Sequence, residues 1–310
     1  MTYSDQQTQI HRVIQYIDQH LTEDLSLEHL AKVSTYSPYH FQRLFKGFIG
    51  EPPAGYVKRI RLENAAHMLI YEPRVPVTEV ALKCGFSSLS YFTYSFNTYF
   101  NTNPKSWREG AYLERFPREY INSKKSKLSS TIPKASRDRE TYNEFKWLDL
   151  SKVKVAHLPE CSSVNRYHTG SYVKGIPAVW RDLYHWGNAR DLLEDSPLLF
   201  GVPKSNPYIT PAEKNRYECR FGVKGRSIPG EDTNHFSGGK HVIYEFPEPV
   251  DYEERGMLIE CYSELYSYWL PQSGFRYLGN PVELVEVKGI PGSLEIRCGI
   301  KAIALAIEPN

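Results

Sequence analysis

The sequence lacks the features that mark several common classes of protein. Its five cysteines are scattered and include no C-x-x-C pair, and its ten histidines include no H-E-x-x-H motif. No stretch approaches the roughly eighteen consecutive apolar residues of a membrane-spanning helix, and residues 1–30 hold no signal-peptide core. We therefore expect a cytoplasmic protein with free, buried thiols, no metal site and no membrane span.

Motifs of catalysis and cofactor binding are also scarce. The Gly238-Gly239 pair lacks the spacing of a phosphate-binding P-loop, and we expect it to form a turn before a strand. No nucleophile triad or set of metal ligands is evident in the chain. The sequence therefore predicts neither a cofactor nor catalytic residues.

Charge and periodicity are unevenly distributed along the 310 residues. Residues 1–140 carry 19 Lys and Arg against 14 Asp and Glu, a net charge of +5, whereas residues 141–310 carry 19 against 22, a net charge of −3. The basic part suits a polyanionic partner. We expect two domains, 1–115 and 150–310, joined by a linker over 116–149 that is rich in Lys, Arg and Ser. Both a solvated linker and one that touches phosphates fit this composition.

The first domain has helical periodicity throughout. Ser26 and Ser37 are N-cap signals for two short helices, and Pro38 strengthens the second signal. A longer helix is predicted from Ala54 to Tyr71, and a short one begins near Pro104. An amphipathic stripe that predicts the first helix consists of Ile10, Val13, Ile14, Ile17 and Leu21.

Two segments of this domain have the pattern of a helix-turn-helix motif, in which a tight turn joins a short helix to a second, amphipathic helix. The first segment spans Ala31–Lys46 and the second spans Ala81–Phe96. The long helix Ala54–Tyr71 should join them. Two such units on one chain can place two helices in successive major grooves of DNA, so we predict a DNA-binding domain.

The outer face of each second helix would meet the DNA. Arginine and glutamine can each make two hydrogen bonds to a base, and lysine can bind phosphate. We expect the first helix to discriminate bases and the second, which has no basic residue on this face, to dock chiefly on the backbone. Alternatively, the exposed residues of the first helix form an ordinary polar surface that does not bind DNA, and the second motif serves only to pack the domain. The first face carries Tyr39, His40, Gln42, Arg43 and Lys46, and the second carries Ser90, Tyr91, Thr93, Tyr94 and Asn97.

Residues 5–112 resemble the DNA-binding domain of the AraC/XylS family, most closely its MarA/SoxS/Rob branch. The matching stretches are LSLEHLAKVSTYSPYHFQRLFK, GYVKRIRLENAAHML and VTEVALKCGFSSLSYFTYSFNTYFNTNPKSWREG. The resemblance implies a seven-helix domain that binds promoter DNA as one unit and contacts RNA polymerase. Two positions depart from the family pattern: Thr35 replaces a glycine of the first turn, and Tyr94 replaces an arginine. The base contacts that the resemblance implies are made by Tyr39, Gln42, Arg43, Thr93 and Tyr94.

The sequence pattern of the second domain predicts an α+β fold in which a β-α-β-β unit occurs twice. Its helices are expected at 176–193 and 252–270, the second ending at Pro271, and both should lie on one face of an antiparallel sheet, with a cleft between the two halves. The strand-like runs are 152–158, 200–202, 217–223, 240–246, 282–287 and 294–306.

Aromatic residues recur at helical spacing in this domain. Trp180 and Tyr184 lie one turn apart, and Tyr262, Tyr266 and Trp269 form a second stripe. Together with Tyr217 and the carboxylate of Glu283, these stripes predict a pocket for a flat, hydrophobic or cationic molecule. Ordinary core packing of the aromatics is the alternative, and Glu283 can equally face solvent or be buried with a partner.

Residues 152–307 are similar to the GyrI-like effector-binding domain, through segments such as GSYVKGIPAVWRDLYHW and YSELYSYWLPQSGFRYLGNPVELVEV. The resemblance implies small-molecule binding. Some GyrI-like proteins resemble hydrolases, which would make Glu283 a general base and Tyr217 an orienting group; a protein-interaction module is a third possibility. Because the domain follows a DNA-binding domain, we expect a sensor within a cytoplasmic transcription activator and no enzyme.

Overall fold

The computed structural model describes residues 3–115, 148–193, 197–223, 228, 230–231, 233–290 and 293–309. The chain divides into two compact units after Arg115. Of the predicted linker over 116–149, residues 116–147 lie outside the described residues.

The described part of the first unit is all α, as the sequence predicts. Ser26 and Ser37 cap their helices through their side chains, and Gly50 ends the third helix in the left-handed conformation with φ 82°. The helices are α1 Tyr3–Gln19, α2 Leu27–Val33, α3 Pro38–Ile49, α4 Pro53–Tyr71, α5 Val77–Lys83, α6 Leu89–Phe100 and α7 Pro104–Arg108.

Helix α4 forms the centre of this unit. It is buried on several sides, so that Val57, Leu62 and Leu69 are all core residues although they do not share one helical stripe. A helix that is covered all round needs no single apolar face. Because α3 and α6 both contact α4, the two helix-turn-helix motifs are built on one shared support.

The second unit is built on one antiparallel sheet. The strands are β1 Lys154–Leu158, β2 Cys161–Thr169, β3 Leu199–Pro203, β4 Arg216–Val223, β5 Thr233–Phe236, β6 Gly239–Val250, β7 Phe275–Tyr277, β8 Val282–Gly289 and β9 Ile296–Pro309. Their spatial order is β1-β6-β9-β8-β3-β4-β2-β5, and β7 pairs with β9 at the side of the sheet.

The predicted duplication is present in this sheet. One half runs β2, helix α8 (Tyr172–Asn188), β3, β4, and the other runs β6, helix α9 (Arg255–Glu264), β8, β9. The halves meet where β3 pairs with β8. The strand that opens the first half is β2, and not the predicted run 152–158, which forms the short strand β1 after a 3-10 turn at Leu150–Lys152.

The predicted helix over 252–270 is not one regular α-helix. It starts with a 3-10 turn at Tyr252–Glu254, continues as α9, and passes through a π-helical turn at Leu265–Trp269 into α10, Leu270–Ser273. Pro271 does not end it, because proline is tolerated in the first turn of α10. Among all the described residues, no helix combines the length and the apolar character that crossing a membrane requires.

Candidate DNA-binding helices and a buried glutamate

Helix α3 separates a buried face from an exposed one. Phe41 and Phe45 are fully buried, and Tyr39 is 79% exposed. The Ser37 hydroxyl accepts a hydrogen bond from the His40 amide at 3.4 Å, which fixes the start of the helix. The His40 ring is partly buried, edge-on to Tyr36 at 5.0 Å between centroids. The remaining residues predicted to face DNA are exposed, namely Gln42, Arg43 and Lys46.

Helix α6 has the same design without positive charge. The Ser88 hydroxyl accepts from the Tyr91 amide at 3.2 Å, while Phe92 and Phe96 are fully buried. Leu89 is 44% exposed because it occupies the first position of the helix, before the buried face begins. Of the residues predicted to face DNA, Ser90, Tyr91, Tyr94 and Asn97 are exposed and Thr93 is partly buried.

The tight turns of the two motifs share one backbone conformation. Gly85 has φ 78°, and Thr35 has φ 61° although it carries a β-branched side chain. The left-handed region disfavours such residues. Thr35 therefore keeps the left-handed φ that Gly85 has in the second motif, and this φ strains its backbone.

Buried polar contacts fasten both motifs to α4. The Arg59 guanidinium binds Glu51, which lies between α3 and α4, and Glu63 of α4 itself. The Tyr99 hydroxyl of α6 donates to Glu63 Oε1 at 3.0 Å. Burial and the Glu63 carboxylate both raise the Tyr99 pKa, which keeps the hydroxyl a donor. The Trp107 indole of α7 donates to the Ala66 carbonyl oxygen at 3.1 Å.

In the second unit, Glu283 is fully buried and accepts hydrogen bonds on both carboxylate oxygens. The Tyr217 hydroxyl donates to Oε2 at 2.6 Å, and the Tyr262 hydroxyl donates to Oε1 at 3.1 Å. Glu283 therefore faces inward, and the solvated alternative is wrong. Gly201 lies opposite Glu283 across the β3–β8 pair, and a Cβ there would overlap the Tyr217 hydroxyl. The glycine makes room for this contact.

The hydrogen bonds continue beyond the glutamate. The Trp180 indole donates to the Tyr252 hydroxyl at 2.7 Å, and the Tyr252 and Tyr217 hydroxyls are 3.1 Å apart. Because Tyr217 gives its single proton to Glu283, Tyr252 must be the donor to Tyr217. Tyr252 did not stand out in the sequence, since nothing in its spacing connects it with Trp180 or Tyr217.

The predicted aromatic stripes do not converge as a whole. Tyr217 and Tyr262 bind Glu283 directly, whereas Trp180 is linked to it only through the Tyr252 and Tyr217 hydroxyls. Tyr266 packs edge-on against Tyr277 at 5.0 Å, and Trp269 stacks on Phe275 at 6.4 Å. The π-helical turn breaks the i, i+4, i+7 geometry of the second stripe. Tyr184 lies against Gly289 and has its nearest ring contact with His185.

All five cysteines are free thiols, and three of them are buried: Cys84, Cys219 and Cys261. Burial raises the Cys84 pKa to about 12. Cys161 and Cys298 are only partly buried, so the expectation of buried thiols throughout is wrong for these two. Within the described ranges, no three His, Cys, Asp or Glu side chains are grouped to hold a metal ion.

Comparisons with known proteins match both units. Residues 30–110 match the model of a helix-turn-helix domain, and residues 152–288 match that of the GyrI-like small molecule binding domain. The probable transcription factor PqrA of Proteus vulgaris is 38% identical over 91 residues, which are 29% of this chain and 74% of PqrA. The transcriptional activator AarP of Providencia stuartii is 33% identical over 113 residues, 35% of this chain and 83% of AarP.

The transcriptional regulator Rob of Salmonella typhimurium is 31% identical over 112 residues. This match covers 36% of the chain but only 38% of Rob, so the chain spans little more than a third of that relative. PqrA and AarP, by contrast, are matched over most of their own length. The chain therefore belongs to the AraC/XylS family of transcription regulators, and a GyrI-like small-molecule-binding domain follows its helix-turn-helix domain.

Proposed function

We propose that the chain binds promoter DNA through the outer faces of α3 and α6. The observation that carries this proposal is the two-faced character of α3, whose phenylalanines are buried while Gln42, Arg43 and Lys46 are exposed. Arg43 and Gln42 read base edges in the major groove, and Lys46 binds phosphate. Tyr39 contacts a thymine methyl group or a sugar, and His40 supports it from the same turn.

Helix α6 has a lesser share in base reading. Its side chains offer hydroxyl and amide groups, which make single hydrogen bonds to phosphate but no charge-assisted pair of bonds. We assign this docking role to Ser90, Tyr91, Thr93, Tyr94 and Asn97.

A test begins with a duplex selected by the full chain from a random-sequence pool. Replacing Arg43 by alanine should weaken binding to this duplex by about 1–3 kcal/mol and relax the base preference of the protein at one position of the site. Lys240→Ala, an exposed position on β6, is the control for a lost positive charge. If the full chain selects no sequence, or if both variants bind equally well, the proposed role is wrong.

We propose further that the chain activates transcription in the bacterial cytoplasm by contacting RNA polymerase beside the promoter. AarP, which is named as an activator, supports the direction of control. A reporter behind the selected site, transcribed in vitro with and without the protein, tests this proposal. Increased transcript is the expected result, and a decrease would make the chain a repressor.

The second unit is proposed to bind a hydrophobic or cationic small molecule near Glu283. Supporting this proposal, Tyr217 and Tyr262 bind the carboxylate, and Trp180 is linked to it through the Tyr252 and Tyr217 hydroxyls, so that aromatic side chains lie near a negative charge. Three further predicted residues lie outside this cluster, namely Tyr184, Tyr266 and Trp269. They would contact the ligand only if it extends beyond the cluster. Binding would change DNA affinity by favouring one of two arrangements of the protein.

A hydrolase is the second candidate, favoured by the 2.6 Å contact between the Tyr217 hydroxyl and Glu283 Oε2. One experiment separates the two functions. The full chain is incubated with an aromatic quaternary ammonium dye and with a panel of strained-ring compounds. Saturable binding of the dye that is weakened in Glu283→Gln supports a sensor, whereas steady turnover abolished by the same variant supports an enzyme.

A further inference from the structure

The second motif has no source of positive charge on its own recognition helix. None of the twelve residues of α6 is Lys or Arg. Two cations of the neighbouring helices are already engaged: Lys83 of α5 pairs with Glu79 at 3.0 Å, and Arg108 of α7 donates to the Val75 carbonyl oxygen at 2.7 Å. Because binding to the DNA backbone depends on neutralising phosphates, a cation from another element would have to supply this charge.

Lys58 of α4 lies beside the start of α6 and can supply this charge. Its ammonium Nζ is 5.5 Å from the centroid of the Tyr91 ring, in the first turn of α6. Tyr91 is 50% exposed and is backed by the buried ring of Phe86 at 6.0 Å. The tyrosine therefore forms a platform that holds a lysine from the supporting helix at the outer edge of the recognition helix.

Elimination along α4 points to the same residue. Arg59 is committed to Glu51 and Glu63. Arg61 donates to the carbonyl oxygens of Leu21 and Glu23, each at 2.9 Å. No hydrogen bond or ion pair within the described ranges engages the Lys58 ammonium, which is left with its ring contact alone.

We propose that Lys58 is the phosphate-binding cation of the second motif, with Tyr91 as its platform. This inference rests on the proposed DNA-binding function and adds to it a contact from outside both recognition helices. The aromatic platform restricts the flexible four-carbon stem before binding, so that less side-chain freedom is lost when the ammonium meets a phosphate. The missing basic residue of α6 is thereby replaced by one from α4.

The experiment measures the affinity of the full chain for its selected duplex as a function of salt concentration. Each phosphate contact contributes about −0.9 to the slope of log affinity against log salt. Lys58→Met should therefore flatten the slope by about 0.9, and the advantage of the unaltered protein over this variant should shrink about 3.5-fold between about 50 and 200 mM salt. Base preference should not change.

Two further variants separate this role from structural damage. Lys58→Arg keeps the charge and should restore the slope, whereas Lys105→Met removes a charge already paired with Glu109 and should leave it unchanged. Unfolding midpoints of all variants show whether each one folds. A slope for Lys58→Met equal to that of the unaltered protein, or an equal loss in Lys105→Met, overturns the assignment of Lys58 alone. A flat salt response of the unaltered protein overturns the proposed DNA binding itself.

Discussion

At the scale of single residues, the tight turn of the first motif stores strain that its counterpart avoids. Thr35 and Gly85 have nearly the same φ, 61° and 78°, but only glycine adopts this region without steric cost. Thr35 is exposed, so its side chain contributes little to the core. The geometry of the motif therefore requires a positive φ at this position, and having threonine there lowers the stability of the folded state.

We expect Thr35→Gly to raise the free energy of unfolding of the first unit by about 1 kcal/mol, because relief of the left-handed conformation outweighs the added freedom of the unfolded chain. Denaturant unfolding of the full chain measures the change. Gly85→Ala is the matched control and should destabilise, since a Cβ there would overlap the Leu21 carbonyl oxygen. An unchanged or lower stability in Thr35→Gly would show that the turn carries no strain.

A partly buried histidine on α4, His67, gives the first unit a predictable response to acid. Burial lowers the His67 pKa from 6.5 to about 4. Between these two values the unfolded chain binds a proton that the folded chain does not, so stability is fully present above pH 6.5 and is lost as the pH falls towards 4. Denaturant unfolding at several pH values should show a shallower loss in this window for His67→Gln than for the unaltered protein. Parallel pH profiles for the two proteins would refute the prediction.

Within the Glu283 cluster, the glutamate could be predicted from the sequence but its set of hydrogen-bond partners could not. Glu283 could be singled out because a carboxylate in a strand-like run demands a partner. Its partners Tyr217 and Tyr262 lie 66 and 21 residues away, and Tyr252 joins them only through the folded sheet. Helical spacing carries no information about such contacts, since they depend on strand order and register.

At the scale of elements, prediction succeeded where the signal is local. The predicted Ser37-Pro38 start of α3 and the predicted start of α7 near Pro104 are both present, because start signals act within one turn. Strand β2, which lies between β4 and β5, was missed: it reads CSSVNRYHT, and because its buried residues include the polar Ser163 and Asn165 it shows no apolar alternation. The π-helical turn was missed because the sequence pattern fits a regular helix equally well.

The two recognition helices should contribute unequally to DNA binding. Arg43→Ala on α3 should weaken binding to the selected duplex by about 1–3 kcal/mol and reduce sequence preference, because arginine makes two hydrogen bonds to guanine. Tyr94→Ala on α6 should cost less and leave preference intact, since a lone hydroxyl contact is worth about 1 kcal/mol. Competition binding with single-base variants of the selected duplex measures both effects. Equal losses of affinity and preference in the two variants would contradict the asymmetry.

At the scale of the whole molecule, the structure describes two compact units with separate candidate tasks. In the first, Arg59 of α4 binds Glu51, which follows α3, and Glu63 of α4 accepts a hydrogen bond from Tyr99 of α6, so both motifs should move with α4 as one body. In the second, the Glu283 cluster joins both halves of the duplicated sheet, because Tyr217 belongs to one half and Tyr262 to the other. A ligand that enters this cluster would change contacts in both halves.

Hydroxyl-radical footprinting of the full chain on its selected duplex shows whether α3 and α6 bind one duplex together. We expect two protected stretches on one face of the DNA, about 10 base pairs apart, as two helices in successive major grooves require. Arg43→Ala should weaken both stretches together, because the motifs share one support. A single protected stretch, or two that respond independently to Arg43→Ala, would contradict the account.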